Sequence, residues 1–326
     1  MMLIFLYRIL RLFGPGFIPG VWALAFILIL PGSVSAREYC IAMITWRGET
    51  IAEKGFIDEL DKSSHDIALT KFNAGQDNSS LQKIITQIQK NPVAVIYVFG
   101  TTATKAVLLR IKDTPVVFNI VSRPVGSGII ASWESSKNNA TGSSNKVSTL
   151  NQLRTLKKVI NYKNLGIIYN PKEQNSIIQR NTVKRLENRL HFSLTEYKIS
   201  REQDILQVLP QMKNRVDAVF LPSDSMVKFL GKKIMEQVNL YNLPSLSSVG
   251  SMVLEDGVLL AYVPKYYELG RIAARKAILI LQGEKPWDIP SSVLDYYHIS
   301  INMKTARKIN IQIPMSILVM ANQIVR

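Results

Sequence analysis

VAVIYVFGTTATKAVLLRI, residues Val93–Ile111, carries the fold in miniature. Val93–Phe99 is an unbroken apolar run of strand length, and Gly100 turns the chain. Thr101 or Thr102 then supplies a hydroxyl able to cap a helix running to Ile111. A strand without polar alternation is covered on both faces, as in a parallel sheet flanked by helices. The next run, Pro115–Val121, repeats the strand. Upstream, Ile41–Trp46 and Ile67–Phe72 read as strands, and Ala52–Asp61 reads as a helix. Ser79–Lys90 reads as a second helix, with Leu81, Ile84, Ile85 and Ile88 on one face.

From Ser135 to Ser148 the chain turns to Ser, Asn, Gly and Thr (SSKNNATGSSNKVS), which reads as a crossing segment between lobes. The same grammar then resumes. Helices are predicted at Leu150–Ile160, Gln174–Leu190, Glu202–Leu209 and Ser225–Asn239, with strands at Leu165–Tyr169, Leu194–Ile199, Ala218–Leu221 and Pro244–Ser247. Beyond Gly257 come a strand (Val258–Val263), a helix opened by Tyr266, a strand (Tyr296–Ile301) and a short helix (Met303–Lys308). The tail Met315–Arg326 reads equally as an apolar helix or a strand. The fold class is therefore α/β, two lobes of similar size with parallel sheets.

A length of 326 residues suits about two domains. With 47% apolar and 20% charged residues, a disordered or fibrous chain is excluded. One cysteine excludes an intramolecular disulfide and a cysteine-cluster metal site. His65, His191 and His298 stand far apart, with neither HxH nor HExxH spacing, so no metal or cofactor is expected. No Walker A loop follows Gly100, no G-x-S-x-G elbow occurs, His191 has no evident carboxylate partner, and His298 sits in a strand with apolar neighbours. Dense hydroxyls and amides without a nucleophile–base pair point to recognition, not to an enzyme.

Residues 1–36 read as a separate object. Arg8 and Arg11 precede a ten-residue apolar core, Val21–Leu30, which Pro31-Gly32 breaks before Ser33-Val34-Ser35-Ala36. That is the pattern of a secretory signal cleaved after Ala36, and it predicts a periplasmic or other extracytoplasmic protein. The alternative is an uncleaved anchor. The core falls short of the ~20 apolar residues of a span, but the apolar residues before Gly14 and around Phe17 lengthen it. Cys40 lacks a lipidation context after Arg37-Glu38-Tyr39 and reads as the start of a buried strand. Loss of Arg8 and Arg11 with the leader takes the formal charge from +16 to +14. The cations are scattered as on solvated helix faces. Plain solubility accounts for them first and an anionic membrane surface second, with no nucleic-acid partner expected.

In open α/β sheets ligands bind beyond the carboxyl ends of the strands, at helix N-termini. Four such junctions carry small polar residues: Gly100-Thr101-Thr102; Ser122-Arg123-Pro124; Tyr169-Asn170-Pro171 with Asn175-Ser176; and Pro222-Ser223-Asp224-Ser225. Capping alone explains any one of them. Four facing one interlobe crevice suggest a binding site.

The motifs are also those of a family. Lys54–Leu60 (KGFIDEL) resembles the family's first helix, and Gly100-Thr101 with Ala103 resembles its G-T-x-A turn. PVVF at 115–118 with PVGSG at 124–128 resembles PIVF…DPVGAG, and NATG at 139–142 resembles NVTG. Tyr169-Asn170-Pro171 with Glu173, Asn175 and Ser176 is similar to YNP-E-NS, and Val216–Ala218 with Pro222–Asp224 to VDA…PTD. YYELGR at 266–271 and INMKTA at 301–306, closed by Ile313-Pro314, complete the series. In this order along the chain, the motifs resemble the ABC-transporter substrate-binding proteins of tryptophan/tyrosine type, with the periplasmic-binding-protein type I fold.

The resemblance implies two Rossmann-like lobes with parallel sheets joined by a three-crossover hinge, lobe 1 at 37–140 plus 264–283 and lobe 2 at 141–263 plus 284–326. It also implies a monomer that closes on a small-molecule solute and serves a membrane permease with its ATPase. A secreted sensory or partner-binding module of the same fold is the alternative. On this reading Trp46, Thr101, Thr102, Ser122, Arg123, Tyr169, Asn175, Ser176, Ser223 and Asp224 contact the ligand. Three departures bear on specificity. Arg123 stands where the family often has an acid, and Ser248–Met252 (SVGSM) has no carboxylate where relatives have an acidic stretch. Trp46 replaces a smaller or polar residue. A site that loses acids and gains a cation is expected to take a small polar or anionic solute.

Overall fold

The computed structural model describes residues 38–326, so the leader read in residues 1–36 lies outside the described residues. The first lobe runs β1 (Tyr39–Thr45), α1 (Ile51–Leu60), β2 (Ile67–Asn73), α2 (Asn78–Lys90), β3 (Val95–Phe99), α3 (Thr101–Arg110), β4 (Val116–Asn119) and β5 (Ala140–Ser144). The second lobe opens with α4 (Thr149–Val159), β6 (Asn164–Tyr169), α5 (Gln174–Arg185), α6 (Glu187–Leu190), β7 (Ser193–Lys198) and α7 (Asp204–Val208). It continues with β8 (Ala218–Leu221), α8 (Ser225–Phe229), α9 (Gly231–Leu240), β9 (Ser245–Ser247), α10 (Ser251–Glu255) and β10 (Leu260–Val263). Then follow α11 (Tyr266–Leu281), β11 (Ser292–Val293), β12 (His298–Asn302), α12 (Met303–Lys308), α13 (Met315–Met320) and β13 (Ala321–Val325).

The first sheet has the order β11-β5-β4-β3-β1-β2, with every pair parallel. The second has the order β13-β12-β10-β9-β8-β6-β7 and is parallel except where β12 runs against β10. All five side chains of β3 are buried, as an apolar run requires when helices cover both faces. The chain passes between the sheets three times: after Ser144, after Val263 and after Val293.

Several expectations shift. The polar stretch 135–148 is not wholly a crossing segment, because Ala140–Ser144 is a fully buried strand of the first sheet. Small residues serve there because the backbones nearly touch: a Cβ on Gly142 would lie 2.0 Å from the Phe118 carbonyl oxygen. Each hydroxyl has a partner. Thr141 Oγ1 donates to Ile289 O at 2.8 Å, Ser143 Oγ to Leu269 O at 2.9 Å, and Ser144 Oγ to Val121 O at 2.6 Å. With β5 and β11 in the first sheet, and Ile289 and Leu294 in its core, that sheet extends past both 140 and 283.

The helix expected over 225–239 is two helices. It breaks at Leu230, and the Asp256 carboxylate lies 2.5 Å from where a Cβ on Gly231 would be. The one expected over 174–190 breaks at Leu186. The tail is both alternatives in turn, helix over 315–320 and strand over 321–325. Cys40 lies in β1 as expected, but it is exposed, not buried.

Two helices of the first lobe meet backbone to backbone. A Cβ on Gly55 of α1 would lie 2.1 Å from Tyr267 O, and one on Gly270 of α11 would lie 1.9 Å from Ala52 O. Thus the glycines of KGF and YYELGR are contact points. They fasten α11, which follows the second crossing, to the first lobe.

Candidate functional site

The crevice is built from strand ends on both sides. From the first lobe come Trp46 and Arg47 after β1, Gly100–Thr102 at the start of α3, and Ile120 after β4. From the second come Glu173 and Asn175 at the start of α5, with Ser223 and Ser225 around the start of α8. Together they enclose a cavity of about 20 Å³. A second cavity of about 20 Å³ shares Asn175 and Ser223 and adds Ser122, Arg123, Asn145, Gln179 and Ser248. Past Arg47 the crevice widens into a chamber of about 780 Å³, walled by Glu49–Ile51 of one lobe, Leu254–Asp256 of the other and the crossing Val263–Tyr266.

Thr101 and Thr102 are not caps. Gly100, at φ +88°, occupies the cap position of α3 and has no side chain to bond the first turn. The N-terminus of α5 also lacks a side-chain cap. Two helices of ten and twelve residues thus bring unspent N–H groups and positive dipole ends to one crevice.

Polar contacts tie the walls. Asn145 Nδ2 donates to Ser223 Oγ at 3.3 Å and to Tyr266 Oη at 3.2 Å, while its buried Oδ1 has no protein partner. Gln179 Nε2 donates to Ser248 Oγ at 2.8 Å, and its Oε1 accepts from Ser223 N at 2.8 Å. Asn175 Nδ2 donates to Ser223 O. Arg123 Nη2 donates across the crevice to Thr182 Oγ1 at 2.7 Å, and Lys105 Nζ donates to Gln174 Oε1 at 2.6 Å. Arg123 is half-buried and makes no ion pair among the described residues. Its burial, and then the charge of Arg185, pull its pKa below the usual arginine value. Arg47 lies over the Phe99 ring, 5.4 Å from its centre.

The structure brings seven of the ten expected residues to the two small cavities: Trp46, Thr101, Thr102, Ser122, Arg123, Asn175 and Ser223. Tyr169, Ser176 and Asp224 lie behind the wall. The Tyr169 ring is buried, and its hydroxyl donates to Glu196 Oε2 at 2.7 Å. Ser176 Oγ donates to Asp224 Oδ2 at 2.5 Å, and the same oxygen accepts from Asn170 N at 2.7 Å. Asp224 Oδ1 caps α8 by accepting from Val227 N at 2.9 Å. Burial first, and the nearby Glu173 carboxylate second, push the Asp224 pKa up to about 7.

Sequence reasoning missed Arg47, Asn145, Gln179 and Glu173 as lining residues. Gln179 had a signal, since it stands one helical turn beyond Asn175 on the same face. Asn145 did not, because it lies in a stretch with the composition of a linker. Among the described residues no group of three His, Cys, Asp or Glu side chains is placed to hold a metal ion. Nor is any described helix long and apolar enough to cross a membrane.

Residues 41–325 match the family described as ABC transporter substrate binding protein. A tyrosine-binding protein of Clostridioides difficile (strain R20291) is 28% identical over 268 residues, 80% of this chain and 77% of the relative. Among solved structures, an ABC domain from Streptococcus pneumonia in complex with L-Trp superposes with a TM-score of 0.83 at 23% identity, covering 88% of this chain and all of that one. A solute binding protein of an ABC transporter from Bacillus halodurans C-125, with bound myo-inositol, gives 0.60 at 13% identity, covering 85% of this chain and 99% of the other. These likenesses show the two-lobed type I periplasmic-binding fold.

Proposed function

The chain belongs to the ABC transporter substrate binding protein family, and on that premise we propose that it captures a small solute bearing a carboxylate or other anionic group between its lobes. In this reading it works outside the cytoplasm and hands the solute to a membrane permease with its ATPase. The observation that carries the reading is Arg123, which lines the interlobe cavity with only a neutral hydroxyl as its partner. A guanidinium so held can exchange Thr182 for two ligand oxygens. Arg47 and the uncapped N-termini of α3 and α5 add positive potential from other sides. Tyrosine and L-Trp, named with two of the relatives, each carry a carboxylate, which supports that group as the anion. Glu173 also lines the first cavity, where its oxygens accept from Ser225 N and Met226 N and keep lone pairs for a further donor on the solute. Hydroxyls on the solute suit Thr101, Thr102 and Ser223.

The test is a thermal-shift screen of amino acids, organic acids, sugars and nucleosides, followed by calorimetry on hits. A one-site solute at 100 times its dissociation constant adds ~2.7 kcal/mol. Arg123→Asp, which restores the family's usual charge, is expected to lose binding of the anionic hit. Equal affinity in Arg123→Asp would refute the clamp. A flat screen would instead favour a partner-binding module.

A further inference from the structure

Helices α4, α12 and α13 lie in one layer on one face of the second sheet. Leu153 and Leu156 of α4, Ala306 of α12 and Ile317 of α13 all enter the same core cluster. Helix α13 packs against α4, and α12 packs against β13, so their outward sides form one surface. That surface has an unusual charge pattern, for neither 135–172 nor 296–326 contains an Asp or Glu. Arg154, Lys158, Lys304, Arg307 and Lys308 are exposed there, and none makes an ion pair among the described residues. Beside them Met315, Val319 and Met320 are 72%, 78% and 52% exposed. The exposed Phe229 and Leu254 elsewhere differ, because the neighbouring Lys228 is neutralised by Glu255 and Asp256.

We infer that this face of the second lobe docks on an anionic lipid surface. Met315, Val319 and Met320 would enter the boundary between headgroups and acyl chains, and the five cations would meet lipid phosphates. A second copy of the chain is a poorer occupant. A two-fold contact would set the cations of one face against those of its twin, with no acid in α4, α12 or α13 to offset them. The overall excess of 40 basic over 24 acidic residues is in part a property of this one side. The inference does not depend on which solute the crevice takes.

Cosedimentation of the full chain with phosphatidylcholine vesicles, with and without phosphatidylglycerol, tests it. Comparing full-length variants holds residues 1–37 constant. The chain is expected to partition far more strongly onto the anionic vesicles. The triple variant Lys304→Glu/Arg307→Glu/Lys308→Glu should lose on the order of 100-fold, since each surface cation contributes roughly fivefold. Val319→Ser/Met320→Ser should lose about tenfold, as partial burial of two apolar side chains implies. Melting temperatures should not change. If the triple variant fails to fold, Arg154→Gln/Lys158→Gln serves in its place. Wild-type affinity for the anionic vesicles in folded charge variants would overturn the inference, and so would a loss just as large on pure phosphatidylcholine. A dimer that Val319→Ser converts to a monomer would overturn it in favour of self-association.

Discussion

Replacing Asp224 by alanine should damage the fold more than any solute contact, and it should do so in a pH-dependent way. The carboxylate accepts from Asn170 N at 2.7 Å, Ser176 Oγ at 2.5 Å and Val227 N at 2.9 Å, all buried. Alanine strands the two backbone donors, while the serine hydroxyl can turn elsewhere. At about 1–3 kcal/mol for each stranded donor, the loss is roughly 4 kcal/mol, a large part of a typical domain's stability. Burial and the Glu173 carboxylate raise the native pKa from 3.8 to about 7. Between those values the folded protein holds a proton that the unfolded chain has released. Stability from this group is thus full below pH 4 and is lost as pH rises through about 7. The lost part is on the order of 2–4 kcal/mol, because each tenfold gain in proton affinity on folding is worth about 1.36 kcal/mol. Alanine has no such linkage, so its cost should shrink from about 4 kcal/mol at pH 5 to about 1 kcal/mol at pH 8. Urea unfolding of both proteins at the two pH values measures this. Parallel pH dependences, or a cost below about 1 kcal/mol at pH 5, would refute the argument.

Gly142→Ala should cost about 3 kcal/mol or more in urea unfolding, because its Cβ would lie 2.0 Å from a backbone oxygen of the neighbouring strand; a midpoint equal to wild type would mean that β4 and β5 can part freely. Tyr97→Phe removes a hydroxyl that donates to the buried Glu53 carboxyl and accepts from Asn119 Nδ2 at 2.9 Å. A loss of about 2–4 kcal/mol is expected by the same method, and no loss would show that the network rearranges.

The α/β architecture was legible wherever apolar runs alternate with helical periodicity, as at Val93–Ile111. It failed at Ala140–Ser144, where close backbone approach selects small polar residues that look like linker. It also failed at Leu230, where a helix pattern continues across a break that a distant acid, Asp256, occupies. For the crevice, strand-end position found seven lining residues. Tyr169, Ser176 and Asp224 lie near the same junctions but point inward: Tyr169 ends β6 with a buried ring, Ser176 turns from the first turn of α5 toward Asp224, and Asp224 is spent on capping α8 and holding Asn170 N. Arg47 carries no signal of its own, since a single arginine just past a strand has the pattern of an ordinary solvated cation.

The fastening of α11 to α1 makes the joint between the lobes mechanically lopsided. With Gly55 and Gly270 meshed against carbonyl oxygens, α11 cannot slide or tilt without forcing the two main chains apart. It moves as cargo of the first lobe, and the bending must fall on the few residues between Val263 and Tyr266 and in the other two crossings. Tyr266 heads this helix, and its hydroxyl accepts from Asn145 in the first crossing. One hydrogen bond therefore gears two crossings together. A side chain as small as a methyl at either glycine would act as a wedge between α1 and α11, and because Tyr266 heads α11 the push would carry on to the crossing that walls the crevice.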